Sequence, residues 1–243
     1  DLKDGGTFYE LDYKPKTYNL LNTLTRWEEA YHDPERIKKG ELMIDRFRRS
    51  MLRVRFFRED TLLEKIEKDS YEELGDFIDG EFKVVKKETD EKKAHLIVRK
   101  QGSIRIPNSE EKLDCELRKS IEVVNNTIEI SIEGKINDFK SLDNQNDRSL
   151  EDLAIGIDVP FFFNGDPNTF EWDSNDVNLS TQKEKNLLST FEYSGSSFKA
   201  FDKTYDFSLE LNVKPEKNSY TLQKFPIIAQ LKAEEKYEDV YQG

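Results

Sequence analysis

Between Thr127 and Ile136, Ile128, Ile130 and Ile132 alternate with Glu129, Ser131 and Glu133. A period of two fits no helix, whose faces recur every ~3.6 residues. It describes an extended strand with one dry and one wet face, the pattern of antiparallel sheets. Ala94, Leu96 and Val98 against Lys93, His95 and Arg99 repeat it. Asn125-Asn126, between Leu117–Val124 and Thr127–Ile136, is a hairpin-type turn pair. Further strand runs read at Gly6 to Tyr13, at 76–86 with a turn at Asp79-Gly80, and at Leu153–Phe163, Leu187–Tyr193, Tyr205–Val213 and Tyr220–Ala229. Asn164-Gly165 and Lys214-Pro215-Glu216 supply turns between some of them. Helix is minor. Asp60 can cap a turn or two through Lys68, Ser70 and Glu73 have capping-box spacing, and residues 35–50 fit either helix or strand. The expected architecture is all-β, a large two-sheet antiparallel β-sandwich with minor short helices.

Composition agrees with that architecture. With half of every strand facing water, a chain of 243 residues that is 35% hydrophobic can still fill a sandwich core. Sixteen Phe, ten Tyr and two Trp supply the large apolar groups that a disordered chain lacks. No linker, low-complexity tract or repeat interrupts the sequence, so 1–243 reads as a single β-sandwich domain. The formal charge of −12 repels phosphate backbones, and neither nucleic acid nor an anionic membrane is an expected partner. The longest uncharged stretch, Thr17 to Thr25, is nine residues, far below the ~20 needed to span a bilayer. No signal peptide follows Asp1, and the expected compartment is the cytoplasm. Without a leading Met, Asp1 reads as the start of a piece of a longer protein.

Little in the chain announces chemistry. One cysteine, Cys115, and two histidines, His32 and His95, cannot form a disulfide or a four-ligand Cys/His zinc site. Asp143-Asn144-Gln145-Asn146-Asp147 and Asp173-Ser174-Asn175-Asp176 offer oxygen ligands but lack the glycine and closing Glu of a calcium loop, so both read as plain loops and no metal or cofactor is expected. Arg46, Arg48, Arg49, Arg53, Arg55 and Arg58 form a basic run that can clamp an anion. The plainer alternative is a strand with Leu52, Val54 and Phe56 inward and Arg53 and Arg55 outward, paired with acidic neighbours. Ser194-Gly195-Ser196-Ser197 lacks the strand-turn-helix setting of a nucleophile elbow.

A resemblance adds what motifs do not. Tyr9-Glu10-Leu11-Asp12-Tyr13, followed by Asn19-Leu20-Leu21-Asn22-Thr23-Leu24-Thr25-Arg26-Trp27-Glu28-Glu29-Ala30-Tyr31-His32, resembles the opening of the C-terminal β-sandwich region of glycoside hydrolase family 57 α-amylase/4-α-glucanotransferase enzymes. Phe225-Pro226 and the run Ala233 to Gly243, closing on Tyr241-Gln242-Gly243, resemble the family's ending. Asp45 to Phe57 and Ile155-Gly156-Ile157-Asp158 are similar to two of its middle strands. The resemblance implies a super-sandwich of the galactose-mutarotase-like kind.

It also implies that the chemistry lies elsewhere, on a catalytic (β/α) barrel bearing a Glu nucleophile and an Asp acid/base. No segment here has the alternating strand-helix pattern of such a barrel, so no catalytic residue is assigned. The implied partners are that barrel, as domain or subunit, and an α-glucan or maltooligosaccharide. Arg26, Trp27, Glu28, Tyr31, His32 and Trp172 are the candidates for interdomain or carbohydrate contact, the aromatic rings by stacking on sugar faces. Two other readings stand beside this one: an independent α-glucan-binding module, and a sugar mutarotase or epimerase in which His32 and His95 converge with a carboxylate.

Overall fold

The computed structural model describes residues 1–21, 25–28, 30, 32–39, 42–137, 150, 152–162, 170–174, 191–193, 197–214, 222–224, 227–233 and 236–242. In chain order the elements are β1 (Asp12–Tyr13), a 3-10 turn (Lys14–Lys16), β2 (Tyr18–Asn19), α1 (Pro34–Lys38), β3 (Val54–Arg58), α2 (Leu63–Glu67), β4 (Lys83–Thr89), β5 (Lys93–Arg105), β6 (Lys112–Val124), β7 (Thr127–Ile136) and β8 (Leu153–Ile157). They continue with β9 (Phe170–Ser174), β10 (Phe191–Tyr193), β11 (Ser197–Asp202), β12 (Phe207–Asn212), β13 (Leu222–Lys224), β14 (Ile227–Ala233) and β15 (Lys236–Gln242). The fold is all-β, and every strand pairing among the described residues is antiparallel. No helix among them is long and apolar enough to cross a membrane.

The chain divides into two compact units interleaved in sequence: Asp1–Tyr9, Ser50–Leu62 and Ser70–Val159 form the first, and Glu10–Arg49, Leu63–Asp69 and Pro160–Gly243 the second. In the first unit, β4-β5-β6-β7 form one sheet and β3-β8 another. Val54, Phe56, Phe77, Phe82, Val98 and Leu117 fill the core, each at most 1% exposed. The alternation read from the sequence sets this up: Leu96, Val98 and Ile104 on β5 share a face with Leu113, Cys115 and Leu117 on β6. The two-residue Asn125-Asn126 turn joins Val124 to its partner Thr127, with Asn125 in the left-handed region at φ 53°, which asparagine tolerates better than most residues.

The second unit pairs β1 with β2, β10 with β13 and β14 with β15, and orders its three-stranded sheet β12-β11-β9. An aromatic cluster anchors its start: Tyr18 packs 4.7 Å from Tyr205 and 5.3 Å from Phe207 between ring centroids. The Tyr18 hydroxyl donates to the Phe162 carbonyl at 2.8 Å.

Several local expectations shift. Residues 76–80 bend without forming the first arm of a hairpin, although Gly80 turns at φ +81° as the Asp-Gly pair suggests. Ser70 and Glu73 cap no helix, because the Glu73 carboxyl is taken by the edge of β3. Residues 35–50 hold only α1, capped by the Asp33 side chain, and are otherwise irregular where described. Arg53 and Arg55 do not face outward but are 0% and 6% exposed. Leu52, Val54 and Phe56 are buried as the alternation expects, but the other face is covered as well: Arg53 meets Asp4 and the Ile78 carbonyl, and Arg55 meets Tyr71 and Asp158. The acidic pairing expected for both arginines is present, with Asp4 and Asp158.

Candidate functional site

The candidate segment of the second unit contains both an inner and an outer part. Arg26 is 4% exposed, and its Nε and Nη2 donate to the Asp45 carboxylate, the latter at 2.6 Å. Arg49 grips the same carboxylate at 2.6 Å and 3.1 Å, and Arg26 Nη2 also donates to the Glu67 carbonyl at 2.9 Å. The backbones lock too: the Arg26 N–H donates to Asp45 Oδ2 at 2.8 Å and the Asp45 N–H to the Arg26 carbonyl at 2.9 Å. Burial pushes the Asp45 carboxyl up, but the hydrogen bonds and charges of the two guanidiniums outweigh it and hold the carboxyl below its ordinary range. Arg26 therefore works inside the unit. Trp27, next in sequence, is 48% exposed, and Glu28 is exposed as well. His32 is half-buried at the bend before α1. Tyr31 lies outside the described residues. Trp172, on β9 opposite Ala200, is 1% exposed and stacks on Phe198 at 6.2 Å, so its ring is core.

The first unit buries a second ionic group. Arg55 makes a bidentate pair with Asp158, Nε to Oδ2 at 2.8 Å and Nη2 to Oδ2 at 2.7 Å, and its Nη1 donates to the Tyr71 hydroxyl at 2.6 Å. The Tyr71 hydroxyl donates in turn to Glu73 Oε2 at 3.0 Å, while Glu73 Oε1 accepts the N–H of Phe56 at 2.7 Å and of Gly75 at 3.1 Å. Burial raises the Glu73 carboxyl to about 7 against the opposing pull of these donors, and burial raises the Tyr71 phenol as well. Nearby, Lys119 is 0% exposed and donates to three carbonyls, those of Gly5 at 2.5 Å, Leu52 at 2.7 Å and Gly6 at 3.3 Å. Its ammonium also lies 4.5 Å from the Phe82 ring centroid. Burial, reinforced by the Arg53 charge, pushes its pKa down to about 7. Arg53 holds the same segment by its ion pair with Asp4 at 2.7 Å and a hydrogen bond to the Ile78 carbonyl.

Sequence reasoning did not single out Lys119, and it noted Glu73 only for its capping-box spacing from Ser70. Lys119 could have been found by parity, since it falls between Leu117 and Ile121 on the inward face of β6. The observed role of Glu73 had no such signal, because its partners are two backbone amides and the Tyr71 hydroxyl.

His95 Nε2 lies 3.0 Å from Ser120 Oγ across β5 and β6. The carboxylates beside it in the sheet, Glu88 and Glu122, are engaged by Lys86 at 2.9 Å and Lys93 at 2.6 Å. The base-orienting partner of a nucleophilic triad is thereby occupied. A cleft of about 210 Å³ is lined by Arg58, Glu59, Asp60 and Asp152, and Arg58 already pairs with Asp60 at 2.9 Å. Among the described residues no group of three or more His, Cys, Asp or Glu is placed to hold a metal ion. Asp143 to Asp147, Asp176, and the Ser194-Gly195-Ser196 run lie outside the described residues.

A family model for the alpha-amylase/4-alpha-glucanotransferase C-terminal region matches residues 1–40 and 33–243, which together span the chain. The chain belongs to this family. Among curated relatives it is 32% identical over 101 residues to an alpha-amylase of Pyrococcus abyssi, covering 31% of this chain and 15% of that protein. It is 35% identical over 77 residues to an alpha-amylase of Pyrococcus horikoshii, covering 30% of this chain and 12% of that protein. The fold matches the crystal structure of 4-alpha-glucanotransferase from Thermococcus litoralis with a TM-score of 0.71 at 21% identity, over 100% of this chain and 32% of that one. This C-terminal family member thus spans a small part of the amylases and about a third of the glucanotransferase.

Proposed function

We infer that this chain is the non-catalytic module of an α-glucan-processing enzyme of glycoside hydrolase family 57, of the α-amylase/4-α-glucanotransferase type. Residues 1–243 act together as one module that packs on a catalytic (β/α) barrel and helps to shape its cleft. The observation that carries this reading is the match of the whole chain to a family defined as the C-terminal region of such enzymes. The interleaving of the two units supports treating them as one module, since neither is a continuous stretch of sequence. Trp27 and Glu28 supply the outward contacts. Arg26 acts behind them, through its lock on Asp45, and Trp172 acts as core beneath its strand. His32, half-buried at the bend before α1, and Tyr31, by its place in the family block, are the remaining candidates for contact. Incubated alone with amylose or maltoheptaose, the purified chain releases no reducing ends and forms no longer or shorter maltooligosaccharides; either hydrolysis or such redistribution by the chain alone overturns the reading.

The half-exposed Trp27 favours one second reading, an independent glucan-binding module. Calorimetry with maltoheptaose separates the two. Binding that disappears in Trp27→Ala supports the independent module, and an absence of binding heat supports a scaffold that works only against its barrel.

A further inference from the structure

The β3-β8 sheet of the first unit is filled on one edge and open on the other. On the β3 side, the Leu74 N–H donates to the Phe56 carbonyl at 2.7 Å, and the Phe56 N–H donates to Glu73 Oε1 at 2.7 Å. On the other side, β3 is the only strand among the described residues that pairs with Leu153–Ile157. The Glu59 N–H donates to the Asp152 carbonyl at 2.8 Å and the Asp158 N–H to the Arg53 carbonyl at 2.9 Å, so residues 152 and 158 turn backbone groups toward β3. The register between them is unbroken. Alternation therefore points the N–H and C=O groups of Ile155 and Ile157 away from β3, at the open edge.

The side chains are open as well. Ile155 lies opposite Phe56 and Ile157 opposite Val54, and directly opposed residues share a face of the sheet. Phe56 and Val54 are core, whereas Ile155 and Ile157 are 56% and 45% exposed. The core face thus continues onto β8 and ends there uncovered. Edges of this kind are ordinarily guarded by charge or by a bulge. β4, whose Val84 and Val85 are also exposed, has both: its register shifts between Val84 and Lys86, and it carries Lys83, Lys86 and Lys87. β7 carries Glu129, Glu133 and Lys135. Leu153–Ile157 carries no charge at all.

The ends of this edge say what fits it. At the start of β8 it meets the cleft of Arg58, Glu59, Asp60 and Asp152, where three exposed carboxylates face one guanidinium that is already paired with Asp60. At the far end Asp158 is neutralised by Arg55. A five-residue pairing falls far short of the ~1,200–2,000 Å² that holds separate proteins together. It suffices for a tethered segment, which its own chain keeps at high effective concentration. We propose that the open edge of β8 receives an extended segment of the same enzyme from outside residues 1–243. That segment runs antiparallel to β8, sets apolar side chains opposite Leu153, Ile155 and Ile157, and ends C-terminally in a Lys or Arg at the acidic cleft. The proposal rests on the reading of this chain as one module of a longer enzyme, and it names a surface by which the module is held.

Titration of the chain with two synthetic peptides, followed by nuclear magnetic resonance, tests the edge. The probes are acetyl-Val-Thr-Val-Thr-Val-Lys-amide and the same peptide ending in Glu. The Lys peptide shifts the amides of Leu153 to Ile157 saturably, the Glu peptide binds about tenfold more weakly, and Ile155→Lys abolishes binding of both. No saturable shift with either peptide, equal binding of the two, or binding retained in Ile155→Lys overturns the proposal. The source of the segment is tested in the full-length polypeptide. There the Ile155 and Ile157 amides exchange roughly a hundredfold more slowly than in residues 1–243, and amides left equally open overturn the proposal. Maltoheptaose turnover by the chain alone would sink the module reading without altering the peptide titration, so the two failures are distinguishable.

Discussion

The two units bury the same chemistry in opposite proportions. In the second, one carboxylate, Asp45, lies between two guanidiniums, Arg26 and Arg49. In the first, one guanidinium, Arg55, serves Asp158 directly and reaches Glu73 only through the Tyr71 hydroxyl. Asp45 is buried and Glu73 half-buried, and burial pushes both upward, yet Asp45 ends below its ordinary range and Glu73 near 7. What differs is cation contact. Burial sets the cost of a charge, and the count of touching cations decides whether the charge is kept.

The sharpest way to break this comparison is to make the same change in both places. Asp45→Asn leaves two guanidiniums facing an amide and should cost about 3–5 kcal/mol in denaturant unfolding at pH 7. The same comparison has a pH signature. Because the folded Asp45 carboxyl is lowered, its stabilisation is present above its unfolded value of about 3.9 and is lost as the pH falls through the lower folded value. The acid limb of the wild-type stability curve, followed by circular dichroism from pH 6 to pH 2, should shrink in Asp45→Asn.

Removing a buried cation that contacts only carbonyls gives a smaller effect. Lys119→Met strips the donor from the Gly5, Gly6 and Leu52 carbonyls and should cost about 2 kcal/mol, with faster hydrogen exchange confined to residues 5–8 and 52. Glu73→Gln keeps the acceptor for Phe56 and should change stability at pH 7 by less than about 1 kcal/mol. If it costs as much as Asp45→Asn, cation contact is not what separates the two sites. Trp27→Ala, on a half-exposed ring, should stay within about 0.5 kcal/mol in thermal unfolding, and a larger loss would place that ring in the core.

How much of this could be read from the sequence follows from where each signal resides. β5, β6 and β7 were visible because their alternation spans ten residues or more and the turn between β6 and β7 carries its own residues. β9, β11 and β15 were missed; five to seven residues without a turn signal give alternation little to work on. The Arg53 and Arg55 strand and the charge of its partners are legible, but its burial is not, since Asp4, Ile78 and Tyr71, which cover the second face, come from elsewhere in the sequence. The candidate contact segment was readable as a family block and not as geometry. Nothing in the letters distinguishes Arg26, which turns inward to a carboxylate nineteen positions away, from Trp27, which does not.

The interleaving of the units has a consequence for how the chain is made. The first unit pairs β3 with β8, so Val54 waits for Ile157. During synthesis at ~5–20 residues per second, that wait is on the order of 5–20 s, with the Val54 and Phe56 side chains emerged but unmatched. Such distant pairing is slow even in a finished chain. A ribosome pausing anywhere between those two strands would leave a sticky half-sheet exposed, so the speed of translation through this stretch becomes a determinant of yield.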